Sequence, residues 1–168
     1  MLISKIFKKS AAFFIAIATF ALLSTANAEQ VGDWKVECKD KQGCAISQII
    51  KDEQGDLGLA FIYREPKAEN MLLLNMIFPL GVKIPAGVKL SVDGANIGTA
   101  PFTFCDKQGC NTLPIPLEQD TLNKIKAGNR LQIELAFGDK KKNSSFSLKG
   151  ITKALETIKD TPKNPSKK

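Results

Sequence analysis

Apolar and polar residues alternate along several short stretches of the chain, a pattern typical of β-strands that face a core on one side. In residues 33–38, Trp34, Val36 and Cys38 fall on one side and charged residues fall on the other. The same period of two recurs in residues 130–137, where three aliphatic residues share a side. Both stretches are therefore predicted to be strands, and Trp34 is predicted to be buried.

Further strands are predicted from apolar runs that are bounded by turn residues such as Gly, Pro, Asn and Asp. These runs cover residues 44–50, 58–65, 70–80, 80–94 (as short strands joined by tight turns), 101–105, 110–115 and 144–151. The stretch 70–80 is the most apolar and suits a central strand, while residues 52–56 are predicted to form a turn. Strand-like runs at intervals of roughly ten residues predict an all-β sandwich or barrel.

Helical spacing occurs in two short segments only. In residues 117–128, apolar residues fall near one face, and the segment follows Pro116 and ends at Gly128, a residue that commonly terminates helices. Residues 152–159 have the spacing for two further turns. The prediction is thus an all-β fold with one or two short helices.

Most aromatic residues alternate with polar neighbours, which predicts that they pack inside the fold. These residues are Phe61, Tyr63, Phe78, Phe102, Phe104, Phe137 and Phe146. No basic stripe interleaves with them, as nucleic-acid binding would require. A nucleic-acid partner is therefore not predicted.

The first 28 residues have the pattern of a secretory signal peptide. They carry three lysines and no acid, an apolar run at 11–23, and an A-x-A ending from Ala26 to Ala28. A retained membrane anchor is the alternative, but it needs about 20 apolar residues. Cleavage is predicted between Ala28 and Glu29, and no cysteine lies near the cut as a lipoprotein would require.

The remaining chain divides into one domain, residues 29–158, and a basic tail, residues 159–168. Removal of the leader lowers the formal net charge from +7 to +4, because three lysines and no acids are lost. The tail contains four lysines and two prolines and is predicted to be disordered. Its function is predicted to be solubilising, with at most weak peripheral contact with an anionic membrane.

All four cysteines lie in two similar loops, CKDKQGC at 38–44 and CDKQGC at 105–110. In an exported protein they predict two disulfides, and four cysteines allow three pairings. The local pairing, Cys38 with Cys44 and Cys105 with Cys110, is favoured because each loop is flanked by predicted hairpin strands. Facing residues of a hairpin have Cα atoms about 4.5–5.5 Å apart, a separation that a disulfide can span.

Two functional alternatives compete with structural disulfides. A zinc site is disfavoured because the C-x5-C and C-x4-C spacings exceed the usual two to four residues. A redox centre is disfavoured because neither loop has the C-x-x-C spacing of reactive pairs. Among structural disulfides, the two pairings that connect one loop with the other also remain possible.

The residue inventory excludes several classes of enzyme. The chain has no histidine, which removes Ser-His-Asp and Cys-His catalysis and histidine metal ligands. It has no G-x-S-x-G or phosphate-binding glycine loop. A carboxylate pair could act on a sugar, but Asp52, Glu53 and Asp56 are more simply a solvated turn. No catalytic residue, metal ligand or cofactor is therefore predicted.

Four segments in register resemble the invasion-associated locus B family of bacterial exported proteins. They are GDWKVEC (32–38), FPLGVKIPAGVKLSVDG (78–94), PFTFCDKQGC (101–110) and SLKGITKALETI (147–158), and the resemblance spans about residues 31–158. It implies an immunoglobulin-like β-sandwich, an extracytoplasmic location in a Gram-negative bacterium, and an association with entry into host cells. The family carries no catalytic motif that can be transferred to this chain.

The leading functional hypothesis is therefore a non-enzymatic periplasmic or secreted module. It would bind a protein or cell-surface partner of unknown identity, and the resemblance points to a contribution to host-cell invasion. The alternatives are a periplasmic housekeeping protein that assists envelope assembly or folding and, less favoured, an enzyme that uses carboxylates. No binding residue is predicted from the sequence.

Overall fold

The computed structural model describes residues 28–39, 43–52, 55–65 and 71–158. Most of the predicted leader and the whole basic tail lie outside the described residues, and so does Glu53. The side chains of Asp52 and Asp56 also lie outside the description, although both residues belong to described strands.

The described residues form twelve strands, one 3-10 turn at Ile84–Ala86 and two α-helices. The strands are β1 (Ala28–Val31), β2 (Trp34–Lys39), β3 (Gly43–Asp52), β4 (Gly55–Arg64), β5 (Leu72–Phe78), β6 (Val88–Val92), β7 (Ala95–Ala100), β8 (Phe102–Asp106), β9 (Gly109–Thr112), β10 (Ile115–Pro116), β11 (Arg130–Phe137) and β12 (Lys140–Ser147). The helices are α1 (Gln119–Ala127) and α2 (Ile151–Thr157).

The strands form two antiparallel sheets. The larger sheet has the order β1-β2-β3-β4-β5-β9-β8, with β10 also paired to β5, and the smaller sheet has the order β12-β11-β6-β7. One hydrophobic cluster contains buried residues of both sheets and of both helices. The two sheets therefore pack against each other around a shared core, and the predicted all-β sandwich with short helices is confirmed.

The core is built from alternate residues of the strands. Along β5, Leu74, Met76 and Phe78 are at most 1% exposed and point into the sandwich. Trp34 of β2 is fully buried, as predicted from its position in the first alternating stretch. On the smaller sheet, Phe146 of β12 is also fully buried. Large side chains from both sheets thus fill the space between them.

Polar side chains of the larger sheet also hold the end of β12. The indole Nε1 of Trp34 donates a hydrogen bond to the carbonyl oxygen of Ser147 at 2.9 Å. Gln48 of β3 donates from Nε2 to the carbonyl oxygens of Ser147 (3.0 Å) and Asp33 (3.1 Å), and its Oε1 accepts from the Ser147 backbone N–H at 2.7 Å. Because Gln48 is buried, these bonds satisfy a polar group that would otherwise be costly inside the fold.

A two-residue turn, Asp93–Gly94, connects β6 to β7. Both residues have positive φ, +46° and +88°, as a type I′ hairpin turn requires, and this conformation is well tolerated by Asp-Gly. The Asp93 carboxylate accepts hydrogen bonds from the backbone N–H groups of Asn129 (2.8 Å) and Arg130 (3.0 Å). It therefore ties the β6–β7 turn to the segment between α1 and β11, and these bonds lower the pKa of Asp93.

The turn between β1 and β2 crosses the start of α2 at two glycines. A Cβ atom on Gly32 would collide with the Lys149 carbonyl oxygen, and one on Gly150 would lie 2.8 Å from the Gly32 Cα. Both glycines have positive φ, +62° and +84°. The crossing is fixed by a hydrogen bond from the Asp33 N–H to the Lys149 carbonyl oxygen at 3.1 Å. Glycine is required here by both space and conformation.

Several predicted elements differ in position from the observed ones. The strand predicted at 144–151 is wrong in its boundaries, because β12 is Lys140–Ser147 and residue 151 begins α2. The two helices begin and end within two residues of their predictions. The turn predicted at 52–56 is shorter, since β3 continues to Asp52 and β4 begins at Gly55. The strands β1 and β7 lie outside every predicted strand.

Candidate functional site

The larger sheet exposes an apolar surface on the side that faces away from the core. Residues of β3, β4 and β5 that alternate with the buried ones point outward, and most of them are also large and hydrophobic. We call this surface the outer apolar face; it consists of Ile49, Leu59, Phe61, Tyr63, Leu73 and Ile77.

The strand register places these residues side by side. Ile49 lies opposite Leu59, which lies opposite Ile77. Four residues further along β4, Tyr63 lies opposite Leu73, and Phe61 occupies the row between these two rows. Neighbouring strands are about 4.8 Å apart, so the face is continuous across three strands.

The side chains of this face are exposed to different degrees. Ile49 is 54% exposed, whereas Leu73 is 8% exposed because its neighbours surround it. Leu59, Phe61, Tyr63 and Ile77 are half-buried. None of the six belongs to the cluster that forms the core, which includes the inward-facing residues of the same strands. The face is therefore a second hydrophobic surface, separate from the core.

Phe61 and Tyr63 form the aromatic part of the face. Their ring centroids are 5.9 Å apart with an interplanar angle of 31°. Partial burial raises the pKa of the Tyr63 hydroxyl above its ordinary value, and the negative charge of Glu65 raises it further. Because Tyr63 is the only tyrosine in the chain, its titration reports on this face alone.

The prediction that the aromatic residues pack inside is correct for some of them and wrong for others. Phe78 and Phe146 are buried in the core, and Phe102 and Phe137 pack against it. Phe104 is 57% exposed on β8, and the two aromatic residues of the outer apolar face point away from the core. Alternation shows that a strand has two different sides, but it does not show which aromatic residues lie on the inner one.

A sequence signal for the outer apolar face did exist. The segments that form β4 and β5, LGLAFIY and LLLNMIF, are apolar at both odd and even positions. Continuous apolar runs of this kind are typical of strands that are covered on both sides. The described part of the chain covers only the inner side, which makes the outer side a candidate binding surface.

The outer side of the smaller sheet has the opposite character. Two rows of polar residues cross all four of its strands: Ser145, Gln132, Ser91 and Asn96 in one row, and Asn143, Glu134, Lys89 and Thr99 in the next. These side chains line a concavity of about 780 Å³. The two outer surfaces of the sandwich therefore differ sharply in chemistry.

The four cysteines lie at the ends of two hairpins. Cys38 faces Cys44 in the β2–β3 register, and Cys105 faces Cys110 in the β8–β9 register. The Cα atoms of each pair are 4.0 Å apart, and the structure has a disulfide in each hairpin. Cys110 is buried against the core, whereas Cys38 and Cys105 are exposed. Each disulfide thus closes one hairpin turn, and both lie outside the outer apolar face.

Among the residues that the structure describes, no group of three or more Asp, Glu or Cys side chains could hold a metal ion. Asp52 and Asp56 lie on the neighbouring strands β3 and β4.

In the described part of the chain, neither helix has the length and apolarity to traverse a lipid bilayer. The predicted cleavage site, Ala28–Glu29, lies at the start of β1.

Comparisons with known proteins agree with this architecture. The family model described as "Invasion associated locus B (IalB) protein" matches residues 34–159. A crystal structure of invasion associated protein B from Bartonella henselae is similar, with a TM-score of 0.70 and 21% sequence identity over 79% of this chain and 95% of that one. The comparison with curated proteins gives no match. The chain belongs to the invasion associated locus B family.

Proposed function

We propose that this protein is an exported, non-enzymatic module that binds a protein partner through the outer apolar face. The observation that carries the proposal is the continuous hydrophobic surface formed by three strands outside the core. Monomeric proteins rarely leave such surfaces open unless a partner covers them. The family membership supports a contribution to host-cell invasion as the setting of this binding.

The composition of the face suits a protein partner. It combines an aromatic pair with four aliphatic side chains, and Ser47 and Asn75 flank Phe61 in the middle row. Protein interfaces are likewise enriched in aromatic residues and contain hydrogen-bonding groups. Covering Ile49, which is 54% exposed, contributes about 1 kcal/mol, half the value for complete burial.

Export is supported by the arrangement of the cysteines. Two cross-strand disulfides persist in an oxidising compartment and are rare in the cytosol. The N-terminal sequence has the three-part pattern of a secretory leader. We therefore place the folded domain in the periplasm or outside the cell, with cleavage between Ala28 and Glu29.

Site-specific crosslinking in intact cells tests the proposal. A photoreactive phenylalanine analogue would replace Tyr63 on the outer apolar face and, in a control, the exposed Lys124 on α1. We expect a discrete crosslinked partner from position 63 and none from position 124. Equal crosslinking from both positions, or none from position 63, would contradict the proposal.

Substitutions provide a second, independent arm. Ile49→Lys with Phe61→Lys should abolish the crosslink from position 63. Leu80→Lys with Leu113→Lys replaces two apolar residues that lie elsewhere and are exposed to a degree similar to Ile49, 59% and 49%, and should leave the crosslink intact. The buried Trp34, the only tryptophan, reports by fluorescence that both variants fold.

The identity of the crosslinked partner separates the two functional settings. Host-cell surface proteins captured during contact with host cells would support a function in invasion. Capture of envelope proteins alone would support the alternative, a periplasmic housekeeping protein that assists envelope assembly or folding. Both outcomes use the same surface.

A further inference from the structure

We propose that the polar outer side of the smaller sheet is a second binding site, which takes an acidic glycan, a polysaccharide bearing sulfate or carboxylate groups. This site is independent of the outer apolar face and lies on the other sheet of the sandwich. It rests on three observations: three cations on the outer side of this sheet, uncharged hydrogen-bonding side chains in the same rows, and an open concave shape.

The two sheets differ in charge. The four strands of the smaller sheet contain five basic residues and one acid, Glu134. The eight strands of the larger sheet contain four basic and five acidic residues. Because side chains alternate along a strand, Lys89, Arg130 and Lys141 lie on the outer side of this sheet together with Glu134, whereas Lys140 and Lys142 lie on the side of the buried Phe146. The outer side of the smaller sheet thus carries three cations and one acid, and this excess of positive charge would attract an anionic ligand.

Protection of an open sheet edge explains only part of this charge. Lysines on an edge strand prevent pairing with other chains, and Lys140, Lys141 and Lys142 lie on β12 at such an edge. However, Lys89 lies on β6 and Arg130 on β11, and both strands are internal to the sheet. Edge protection does not account for these two cations, whereas a ligand lying across the strands does.

The side chains on this surface are already oriented by contacts with one another. Glu134 forms ion pairs with Lys89 (3.0 Å) and Lys141 (3.2 Å) and positions both ammonium groups. Arg130 Nη1 donates to the Ser145 hydroxyl at 3.3 Å, and Gln132 Oε1 accepts from the Ser91 hydroxyl at 3.2 Å. Side chains held on rigid strands lose little entropy when they bind a ligand.

The uncharged residues point to a sugar and not only to a polyanion. Asn143 and Thr99 occupy the two ends of one row and are exposed, and Gln132 lies in the next row, between Arg130 and Glu134 along β11. Amide and hydroxyl groups are suited to bind sugar hydroxyls by hydrogen bonds, while ammonium and guanidinium groups bind sulfate or carboxylate. The concavity is wide and open, which suits an extended chain lying across the strands.

A titration of the full chain with fluorescent heparin oligosaccharide tests the proposal, with neutral dextran and phosphatidylglycerol vesicles as comparison probes. We expect saturable binding to heparin and none to dextran. The variant Lys89→Gln, Arg130→Gln, Lys141→Gln should weaken heparin binding at least tenfold and reduce its salt dependence. The matched control Lys107→Gln, Lys124→Gln, Lys153→Gln loses the same charge from exposed positions elsewhere and should change affinity less than threefold.

Replacing an uncharged residue of the surface distinguishes a specific binding site from nonspecific electrostatic attraction. Asn143→Ala should weaken heparin binding about threefold to tenfold while leaving the salt dependence unchanged. Equal weakening in the two charge variants, or no effect of Asn143→Ala, would overturn the proposal in favour of nonspecific attraction that includes the basic tail. Tighter binding to the vesicles than to heparin would overturn it in favour of a membrane surface. Tyr63 titration should remain unchanged in all variants, which separates this site from the outer apolar face.

Discussion

Gln48 is expected to be one of the main stabilising residues of the sandwich, although it is polar and lies within a strand. Its side chain makes three hydrogen bonds that connect β3 to the β1–β2 turn and to the end of β12. Gln48→Ala removes all three. The backbone N–H of Ser147 then loses its acceptor in a part-buried position, which costs about 1–3 kcal/mol.

The other two bonds add less to the expected loss. The Ser147 carbonyl oxygen keeps its bond from Trp34, and the Asp33 carbonyl oxygen lies in an exposed turn where water can replace the amide. Together with the lost packing of a buried side chain, we expect Gln48→Ala to lower the free energy of unfolding by about 3 kcal/mol. For a domain of this size, that loss corresponds to a decrease in Tm of about 10 °C.

Urea unfolding followed by the fluorescence of Trp34 and by circular dichroism measures this loss. Gln119→Ala is a suitable control, because Gln119 is exposed on α1 and bonds only to Asn123 at 2.7 Å; its effect should be below about 0.5 kcal/mol. A loss below about 1 kcal/mol for Gln48→Ala would refute the reasoning that this side chain connects the sheets.

A second variant tests the direction of the hydrogen bonds. Gln48→Glu keeps the acceptor for the Ser147 N–H but replaces the donating amide with an oxygen that faces two carbonyl oxygens. This environment raises the pKa of the new carboxyl above its value in the unfolded chain, so the variant should lose stability, relative to the wild type, as pH rises from about 4 to 7. A variant equally destabilised at both pH values would contradict the assigned donors.

Three further predictions follow from the hairpins and turns. The double variant Cys38→Ser, Cys44→Ser should lose about 2 kcal/mol of stability, the value expected from loop entropy for a bridge this short. Peptide mapping of the wild type without reductant should show the two local bridges. A peptide that links Cys44 to the other loop would contradict this pairing. Asp93 has a lowered pKa in the folded state, so its contribution to stability is present above the unfolded pKa of about 3.9 and is lost as pH falls below it. Asp93→Asn, which suits the same turn, should therefore unfold with a weaker dependence on pH between about 5 and 2 in urea titrations. Gly150→Ala should destabilise the domain by more than about 2 kcal/mol, since the new Cβ would meet backbone atoms. Gly94 has a similar φ but open space around it, so Gly94→Ala should cost less stability in the same assay.

The alternating pattern predicted much of the fold because it directly reflects burial. Trp34 and Leu131 have the expected positions, since a period of two places them on the inner side of their strands. β12 was misplaced because its first six residues, KKKNSS, have no apolar alternation, and its pairing with β11 is a property of the hairpin and not of its own residues. Gln48 also has the appearance of a surface residue in the sequence, although Ile46 and Ile50 on the same side of β3 are buried.

The candidate surfaces were less accessible to sequence reasoning than the fold. The outer apolar face requires residues from three strands to be adjacent, and this adjacency depends on the register between β3, β4 and β5. The basic and polar rows of the smaller sheet combine residues as distant as Lys89 and Asn143. A single sequence shows the composition of each strand but not which strands are neighbours.

The bonds from Trp34 and Gln48 to Ser147 have a consequence for the order in which the newly made protein completes its structure. In an exported chain the N-terminal strands are translocated more than a hundred residues before their shared acceptor, which is separated from Trp34 by 113 positions. Until that late segment arrives, the indole remains without its carbonyl partner and the two halves cannot close on each other. Polypeptides terminated prematurely before residue 147 should consequently be substrates for proteases, however complete their early hairpins are.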